Sequence, residues 1–160
     1  MLTDRFRYSP ENCSIGRTLD IVGEKWTFLV LREAFYGIRR FADFHRALGC
    51  ARNLLTARLR TLVEEGILSR EPYHEPGHRV RFEYRLTAKG QELFPALVAL
   101  MRWGDAWTCD AAGPPVEVLH RGCGRPVSVE LRCADGHGHL SARDTEAIPG
   151  PGAKPAKTAV

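Results

Sequence analysis

Three side chains in one short segment have the donors and acceptors that hydrogen-bond to the edges of DNA bases. Arg52, Asn53 and Thr56 lie at the start of RNLLTARLRTLVEEGIL, residues 52–68. Arginine can pair with guanine, and asparagine with adenine, through two hydrogen bonds each, while threonine adapts to several bases. These residue types therefore indicate recognition of a nucleic acid.

A helix must hold these side chains on one side if they are to act together. Leu55, Leu59 and Leu62 recur at i, i+4 and i+7, which is the spacing of a buried helix face. The polar residues would then project from the opposite face. This arrangement predicts a helix with its leucines in the core and its arginines, amide and hydroxyls outward.

The chain around this segment is locally basic, although the net charge of the 160-residue protein is only +4. Between positions 32 and 60 the acids are Glu33 and Asp43, and the arginines are Arg32, Arg39, Arg40, Arg46, Arg52, Arg58 and Arg60. Such an excess favours a polyanionic partner, with a merely solvated basic surface as the alternative. The further candidate DNA contacts are Arg40, Arg58, Arg60, Arg79 and Arg81.

The elements that would position these residues can be predicted along the chain. Apolar spacing predicts a helix over 15–36, a short helix in RFADFHRAL and a turn at GCA. After Gly66, the turn HEPGHR and the alternating VRFEYRL predict a β-hairpin. Thr87 is the expected N-cap of a long last helix, with Pro95 in its first or second turn. The order predicts a mainly α, α+β fold, a winged helix-turn-helix.

Three longer stretches carry a series of motifs. They are CSIGRTLDIVGEKWTFLVLREAFYGIRRFADFHRAL, LLTARLRTLVEEGILSR and FEYRLTAKGQELFPALVALMRWGDAW. In order they contain G-x-K-W, R-F, L-x-x-R-L-x-x-L-x-x-x-G, Y-x-L-T-x-x-G and a late W-G. From Cys13 to Ala111 the chain thereby resembles the HxlR-type winged-helix transcription regulators, relatives of the MarR-type family. A DNA-binding domain over 13–111 is expected.

The resemblance implies a homodimer that regulates transcription, as a repressor, from palindromic sites in double-stranded DNA, often near its own gene. It assigns the dimer contact partly to the helix over 15–36 and chiefly to the last helix, through Leu93, Leu97, Leu100, Met101, Trp103 and Trp107. Packing within one chain is the alternative for this apolar stripe. A small-molecule effector would bind between the dimer helices and the DNA-binding unit, as in MarR-type relatives. The alternative to a regulator is a winged helix that binds protein and has lost DNA binding.

The five cysteines are odd in number and widely spaced, which favours free thiols, a metal site or a redox switch over a disulfide framework. Cys13 occupies a position where this family often has a cysteine, and several relatives resemble thiol-based sensors. Cys50 lies directly before the recognition helix, with Arg46 and Arg52 nearby, where a reactive thiolate is expected. The alternative for Cys50 is a small buried hydrophobe.

The C-terminal part contains two pairs of metal-ligand residues. His120 and Cys123 form one pair, and Cys133 and His137 form the other, with His139 as a substitute for His137. Together they could supply four tetrahedral ligands to a structural Zn²⁺ in a small β-hairpin module over 115–145. The alternative is a solvated hairpin without metal. The Pro- and Gly-rich residues 146–160 are expected to be disordered.

Several classes of protein are disfavoured. The sequence lacks G-x-S-x-G, P-loop and H-E-x-x-H motifs, which argues against an enzyme. No apolar run approaches the ~20 residues that span a bilayer. The start, MLTDRFRYSPENC, lacks the apolar core of a secretion signal. We therefore expect a cytoplasmic protein that does not contact a membrane.

Overall fold

Helices and one hairpin follow one another in the computed structural model, which describes residues 7–74, 77 and 79–156. The helices are α1 (Ser14–Val22), α2 (Lys25–Phe35), α3 (Phe41–Leu48), α4 (Arg52–Glu64), α5 (Ala88–Gln91) and α6 (Phe94–Trp107). The strands are β1 (Leu68–Tyr73) and β2 (Arg81–Leu86), and a 3₁₀ turn over Pro10–Asn12 precedes α1. The mainly α winged helix-turn-helix predicted from the sequence is confirmed.

The core is built where α2 meets α3 and α4. Leu55, Leu59 and Leu62 of α4 are fully buried, as their spacing predicts. They join one cluster with Val30 of α2 and Phe44 of α3. Each buried leucine contributes about 1.5–3 kcal/mol to folding. This burial determines which side of α4 faces outward.

A tight turn connects α3 to α4. Gly49 ends α3 in the left-handed conformation (φ 62°), and its N–H bonds to the carbonyl of His45. A side chain would be strained at this φ, whereas glycine adopts it at little cost. The extended Ala51 then leads into α4. The two helices are thereby held in the predicted helix-turn-helix relation.

The hairpin forms a wing beside this unit. Strands β1 and β2 are antiparallel, with Leu68 opposite Leu86 and Tyr73 opposite Arg81. The loop between α2 and α3 extends the sheet, since the amide of Tyr84 donates to the carbonyl of Arg39 at 2.8 Å. The predicted hairpin is confirmed. The turn expected at its tip lies partly outside the described residues.

Two predicted helices are each divided in the structure. The helix expected over 15–36 is broken after Val22, because Gly23 ends α1 and Glu24 is extended (ψ 129°). The helix expected from Thr87 is broken before Phe94, and Pro95 lies in the first turn of α6. Proline has no N–H, so Pro95 cannot donate the hydrogen bond to the carbonyl of Gln91 that would continue α5 into α6.

Thr87 and Gly90 attach α5 to the end of α4. The hydroxyl of Thr87 donates to the carbonyl of Gly66 at 2.7 Å and accepts from the amide of Gly90 at 3.1 Å. Gly90 is buried, and a Cβ at this position would clash with the carbonyl oxygen of Ile67. The threonine and glycine of the Y-x-L-T-x-x-G motif therefore have a structural explanation.

We expect Gly90→Ala to lower the free energy of unfolding by about 1–3 kcal/mol, the usual cost of overpacking a core. The matched control is Gly16→Ala in α1, where a Cβ would make an ordinary 3.5 Å contact with Cys13 Cβ. That control should be neutral or slightly stabilising. Urea denaturation of both variants measures the difference, and a Gly90→Ala protein as stable as the wild type would contradict this explanation.

The residues after α6 differ from the prediction. Within the described chain beyond Trp107 there is no regular strand, and the expected hairpin is reduced to a bridge between Leu119 and Pro126. Two short turns remain, since Val127 N bonds to Val118 O at 2.8 Å and Leu140 N bonds to Leu131 O at 3.2 Å. Prolines and glycines in this part of the sequence limit longer pairing.

The C-terminal segment over 146–160 was predicted to be disordered, but its described part pairs with the N-terminal segment. The amide of Ser9 donates to the carbonyl of Lys154 at 2.9 Å. The amide of Ala156 donates to the carbonyl of Arg7 at 2.7 Å. Composition predicted disorder because it does not reveal such a distant backbone partner.

Among the described residues, no helix has the length and hydropathy of a membrane span.

Candidate nucleic-acid interface

The outer face of α4 is polar and exposed. Arg52, Asn53, Thr56 and Arg60 are all exposed there, whereas Leu59 on the opposite side is fully buried. Thr56 Oγ1 donates to the carbonyl of Arg52 at 2.8 Å and keeps lone pairs to accept a further bond. Asn53 Oδ1 accepts from the amide of Leu54 at 2.9 Å. The structure brings these predicted contacts onto one surface.

The start of α4 also favours an anion. The N-cap is Ala51, whose side chain cannot accept a hydrogen bond from the first turn. The first backbone hydrogen bond of the helix runs from the amide of Leu55 to the carbonyl of Ala51. The amides of Arg52 and Asn53 precede it and take no part in the helical bonding. Unpaired first-turn amides and the positive end of the helix dipole attract phosphate groups. The exposed Arg52 adds a full positive charge at the same end.

Arg60 and Arg58 differ in their surroundings. Arg60 faces solvent and pairs with Glu64 at 3.7 Å, with both side chains more than half exposed. An exposed ion pair of this kind holds a side chain weakly. Arg58 instead extends toward the junction of α1 and α2, where Nη2 lies 3.1 Å from Glu24 Oε2. Its ion pair is thus made within the chain, although the sequence suggested Arg58 as a candidate DNA contact.

The arginines of the wing lie toward its tip. Arg81 is the first residue of β2 and Arg79 lies just before it, and both are exposed. The guanidinium of Arg40 lies 4.6 Å from the ring centroid of Tyr73, which pairs with Arg81 across the strands. Arg40, Arg79 and Arg81 are therefore presented from neighbouring segments. Basic side chains at such a wing can reach a phosphate beside the groove that the helix enters.

Two further arginines were not assigned to the site from sequence. Arg39 and Arg46 line an open cleft of about 440 Å³ with Arg40, Asp43 and Glu83. Arg46 pairs with Asp43 at 2.7 Å. The count of arginines over 32–60 was the signal available in the sequence, although it could not identify which of them share a cleft.

The middle of the wing carries a pair of acidic residues with one arginine beside them. Glu71 and Glu83 face each other across the strands, and Arg85 lies between them, 3.0 Å from Glu71. Its hydrogen bond to Glu83, reinforced by that carboxylate's charge, raises the pKa of Arg85 above its usual value. One guanidinium thus lies against both carboxylates in the middle of the sheet, and the exposed Arg79 and Arg81 lie nearer the tip of the wing.

The two cysteines predicted as redox residues have opposite exposures. Cys13 is exposed, and its Sγ accepts from the amide of Gly16 at 3.4 Å as the N-cap of α1. Cys50 is only 6% exposed and belongs to the core cluster. The expectation of an accessible, reactive thiolate at Cys50 does not fit this burial. The alternative of a small buried hydrophobe describes its position.

The proposed metal ligands form two separate pairs. His120 Nδ1 lies 3.2 Å from Cys123 Sγ, and Cys133 Sγ lies 3.2 Å from His137 Nδ1. The part of the chain that the structure describes contains no group of three or more His, Cys, Asp or Glu arranged to hold a metal ion. His139 lies instead beside Glu130, at 3.8 Å. A closed zinc site needs four converging ligands, so the four residues do not fit one in this arrangement.

The apolar residues predicted for the dimer contact fall into two groups. Leu97 is buried, Leu93 packs partly buried against the core cluster, and Met101 accepts a hydrogen bond from the Tyr36 hydroxyl at 3.8 Å. The exposed group on α6 consists of Leu100 (56%), Trp103 (61%) and Trp107 (76%). Ile15 (72%) and Leu19 (56%) form a second exposed stripe on α1. Packing within one chain therefore describes Leu93, Leu97 and Met101. The dimer contact stays a prediction for the exposed group.

Known proteins match this chain over most of its length. The HxlR-like helix-turn-helix family matches residues 21–111. A helix-turn-helix-type transcriptional regulator of Mycobacterium tuberculosis is 46% identical over 144 residues, 90% of each chain. PA1607, described as a candidate transcription factor, has a solved structure with a TM-score of 0.78 and 39% identity, over 88% of this chain and 96% of its own. The solved structure of the oxidized form of the redox regulator HypR has a TM-score of 0.55 and 32% sequence identity. The match covers 61% of this chain and all (100%) of the HypR chain.

Proposed function

The chain belongs to the HxlR-like helix-turn-helix family of transcriptional regulators, and on this premise we propose that it is a homodimeric repressor that binds a palindromic operator. The outer face of α4 enters the major groove, and the wing contacts the adjacent backbone. Residues 13–111 form the DNA-binding and dimerisation unit, and residues 115–145 form a small appendage on it.

The observation that carries this proposal is the character of the α4 surface. Arg52, Asn53 and Thr56 are exposed together at its N-terminal end, and no acidic residue lies in the first turn. A winged helix that binds protein in place of DNA has no need of this surface. Arginine and asparagine can each pair with a base through two hydrogen bonds, and the helix terminus beside them attracts phosphate, so this surface matches the chemistry of duplex DNA.

The exposed apolar stripes support the homodimer. Trp103 and Trp107 lie one turn apart on α6 and are more than half exposed, and Ile15 on α1 is equally open. Large apolar side chains gathered on the surface mark protein contacts, and tryptophan is enriched at such sites. A second copy of the chain is the partner we propose. Its two-fold symmetry would give the operator its palindrome.

Selection of binding sites from a pool of random duplexes tests the proposal. The expected enriched sequence is an inverted repeat whose half-sites lie about one helical turn, roughly 10–10.5 base pairs, apart. Enrichment of a single unrepeated site would contradict the homodimer. No enrichment of any sequence would contradict the regulator function and favour the protein-binding alternative.

Arg79 provides a prediction about the wing. Because it is exposed near the wing tip, we propose that it contacts a phosphate. Arg79→Ala should weaken binding to selected and random duplexes alike and reduce the slope of log affinity against log salt by about one. The charge-matched control is Arg121→Ala, an exposed position in the appendage. An unchanged slope for Arg79→Ala would remove the wing from the interface.

We also propose that Cys13 is the residue through which oxidants act, with HypR as a relative named for redox regulation. Cys13 is exposed, whereas Cys50 is buried and would react after local opening. In the native protein, alkylation of Cys13 should therefore be faster than that of Cys50 by about tenfold or more. Peptide mass spectrometry measures both rates, and equal rates would contradict this order.

For a small-molecule effector we propose the cleft of about 280 Å³ where α1 meets α5 and the turn after α4. Its walls are mainly apolar, with Ile21 and Val22 on one side and Ile67 and Leu93 on the other. Lys89 provides a polar group at the same cleft. Such a lining suits a small aromatic molecule. Because α1 also carries part of the proposed dimer surface, occupancy of the cleft would act on the dimer.

A further inference from the structure

One ion pair joins the recognition helix to the junction of the first two helices. Arg58 Nη2 lies 3.1 Å from Glu24 Oε2, and the two side chains are 24% and 60% exposed. The Nε atom of Arg58 is buried and has no hydrogen-bond partner among the described residues. The guanidinium is therefore directed inward, with Glu24 as the anion it meets.

The two partners of this ion pair belong to different parts of the fold. Glu24 is the extended residue between α1 and α2, and α1 carries the exposed Ile15 and Leu19. Arg58 lies near the middle of α4, next to the fully buried Leu59. The pair therefore connects the helix that presents Asn53 with the junction at which α1 ends and α2 begins.

We propose that Arg58 is a positioning residue, which holds α4 at its angle to α1 and α2 through Glu24, and does not contact DNA itself. This inference rests on the proposed function for its effect on DNA, but the contact exists in the free protein. Arginine suits the role because its guanidinium can hold a carboxylate while its buried stem packs along the helix.

The two roles of Arg58 predict opposite effects of Glu24→Gln. If Arg58 contacted a phosphate, removing the carboxylate would release a positive charge to the DNA and increase affinity for every duplex. If Arg58 positions α4, the loss of its partner loosens the angle of the recognition helix. Base contacts then weaken, while phosphate contacts made by flexible side chains do not.

The experiment measures binding of Glu24→Gln to the selected and the random duplex over a salt series. Positioning predicts an affinity for the selected duplex lower by about two- to fivefold, the range a partly exposed ion pair supplies, with random binding and salt slope unchanged. The exchanged pair Glu24→Arg/Arg58→Glu should recover most of the loss seen in Arg58→Glu alone. The control is Arg60→Gln, which removes a charge from an exposed position of the same helix, and no change at Glu24 should compensate for it.

Hydrogen exchange in the free protein gives a reading that does not depend on DNA. Glu24→Gln should speed exchange of the α4 amides relative to those of α3. Exchange therefore tests the positioning role of Arg58 separately from the proposed function. A wild-type protein that selects no duplex contradicts the proposed function alone. Tighter binding of Glu24→Gln to both duplexes, no change in binding, no recovery by the exchanged pair, or unchanged α4 exchange would each overturn the positioning role.

Discussion

Replacement of Asn53 by alanine is expected to lower affinity for the operator by about 10- to 100-fold and to leave affinity for random DNA nearly unchanged. The loss corresponds to the roughly 1–3 kcal/mol of one bidentate base contact. Asn53 is uncharged and exposed on the outer face of α4. A neutral side chain that reads a base carries sequence information and contributes little to non-specific binding.

Arg52→Ala is expected to have a related but distinguishable effect. The variant's affinity for the operator should fall by a similar factor. Its affinity for random DNA should fall as well, because Arg52 carries charge at the N-terminus of α4. Fluorescence anisotropy with both duplexes measures the two variants, and Gln91→Ala, an exposed amide on α5, serves as the neutral control. Equal losses on the two duplexes for Asn53→Ala would refute its role in reading a base.

Trp103→Glu is expected to convert the dimer into monomers and to lower operator affinity by about 10²- to 10⁴-fold. The indole is 61% exposed in one protomer, so the change costs the protomer little while it places a charge in the apolar contact with the second copy. Once the two half-site contacts are no longer linked, the gain from multivalent binding is lost. Sedimentation equilibrium and anisotropy measure the two effects.

The control for this experiment is Leu131→Glu. Leu131 is exposed to nearly the same extent (60%) but lies in the appendage, outside the proposed contact. That variant should remain dimeric and bind the operator normally. Thermal denaturation of Trp103→Glu should show a folded chain. A Trp103→Glu protein that is still dimeric would show that α6 does not form the dimer contact.

Local spacing predicted helix α4 and its buried face well, for a physical reason. Leu55, Leu59 and Leu62 repeat with the period of a helix, and burying them determines the orientation of every other side chain on α4. The exposure of Asn53 follows from that orientation. The direction of the Arg58 side chain does not, because Arg58 lies at the edge of the buried face and pairs with Glu24, a partner distant in sequence.

The helix ends and the cysteines show a second limit of sequence reasoning. Apolar spacing continues across Gly23, so periodicity alone joined α1 to α2. The extended backbone at Glu24 interrupts them. Cys50 has basic neighbours in sequence, but the packing of α3 against α4 buries it. Exposure of a thiol is a property of the tertiary fold, which a list of neighbouring charges does not contain.

The C-terminal part was predicted least well. Ligand types at suitable spacing suggested a metal site, yet Cys123 and Cys133 each meet one histidine in separate turns. A backbone hydrogen bond also places the segment at Lys154 beside the segment at Ser9. Composition describes whether a segment can build its own core, and it gives no information on a backbone partner elsewhere.

The most direct test of the central claim is binding of the purified protein to a duplex from its own upstream region and to a scrambled duplex, measured by anisotropy over a salt series. We expect preference for the upstream duplex, with affinity for both falling steeply as salt rises. Absence of binding to either duplex at low salt would contradict DNA recognition, because the exposed arginines and Asn53 of α4 would then not form a DNA-binding surface.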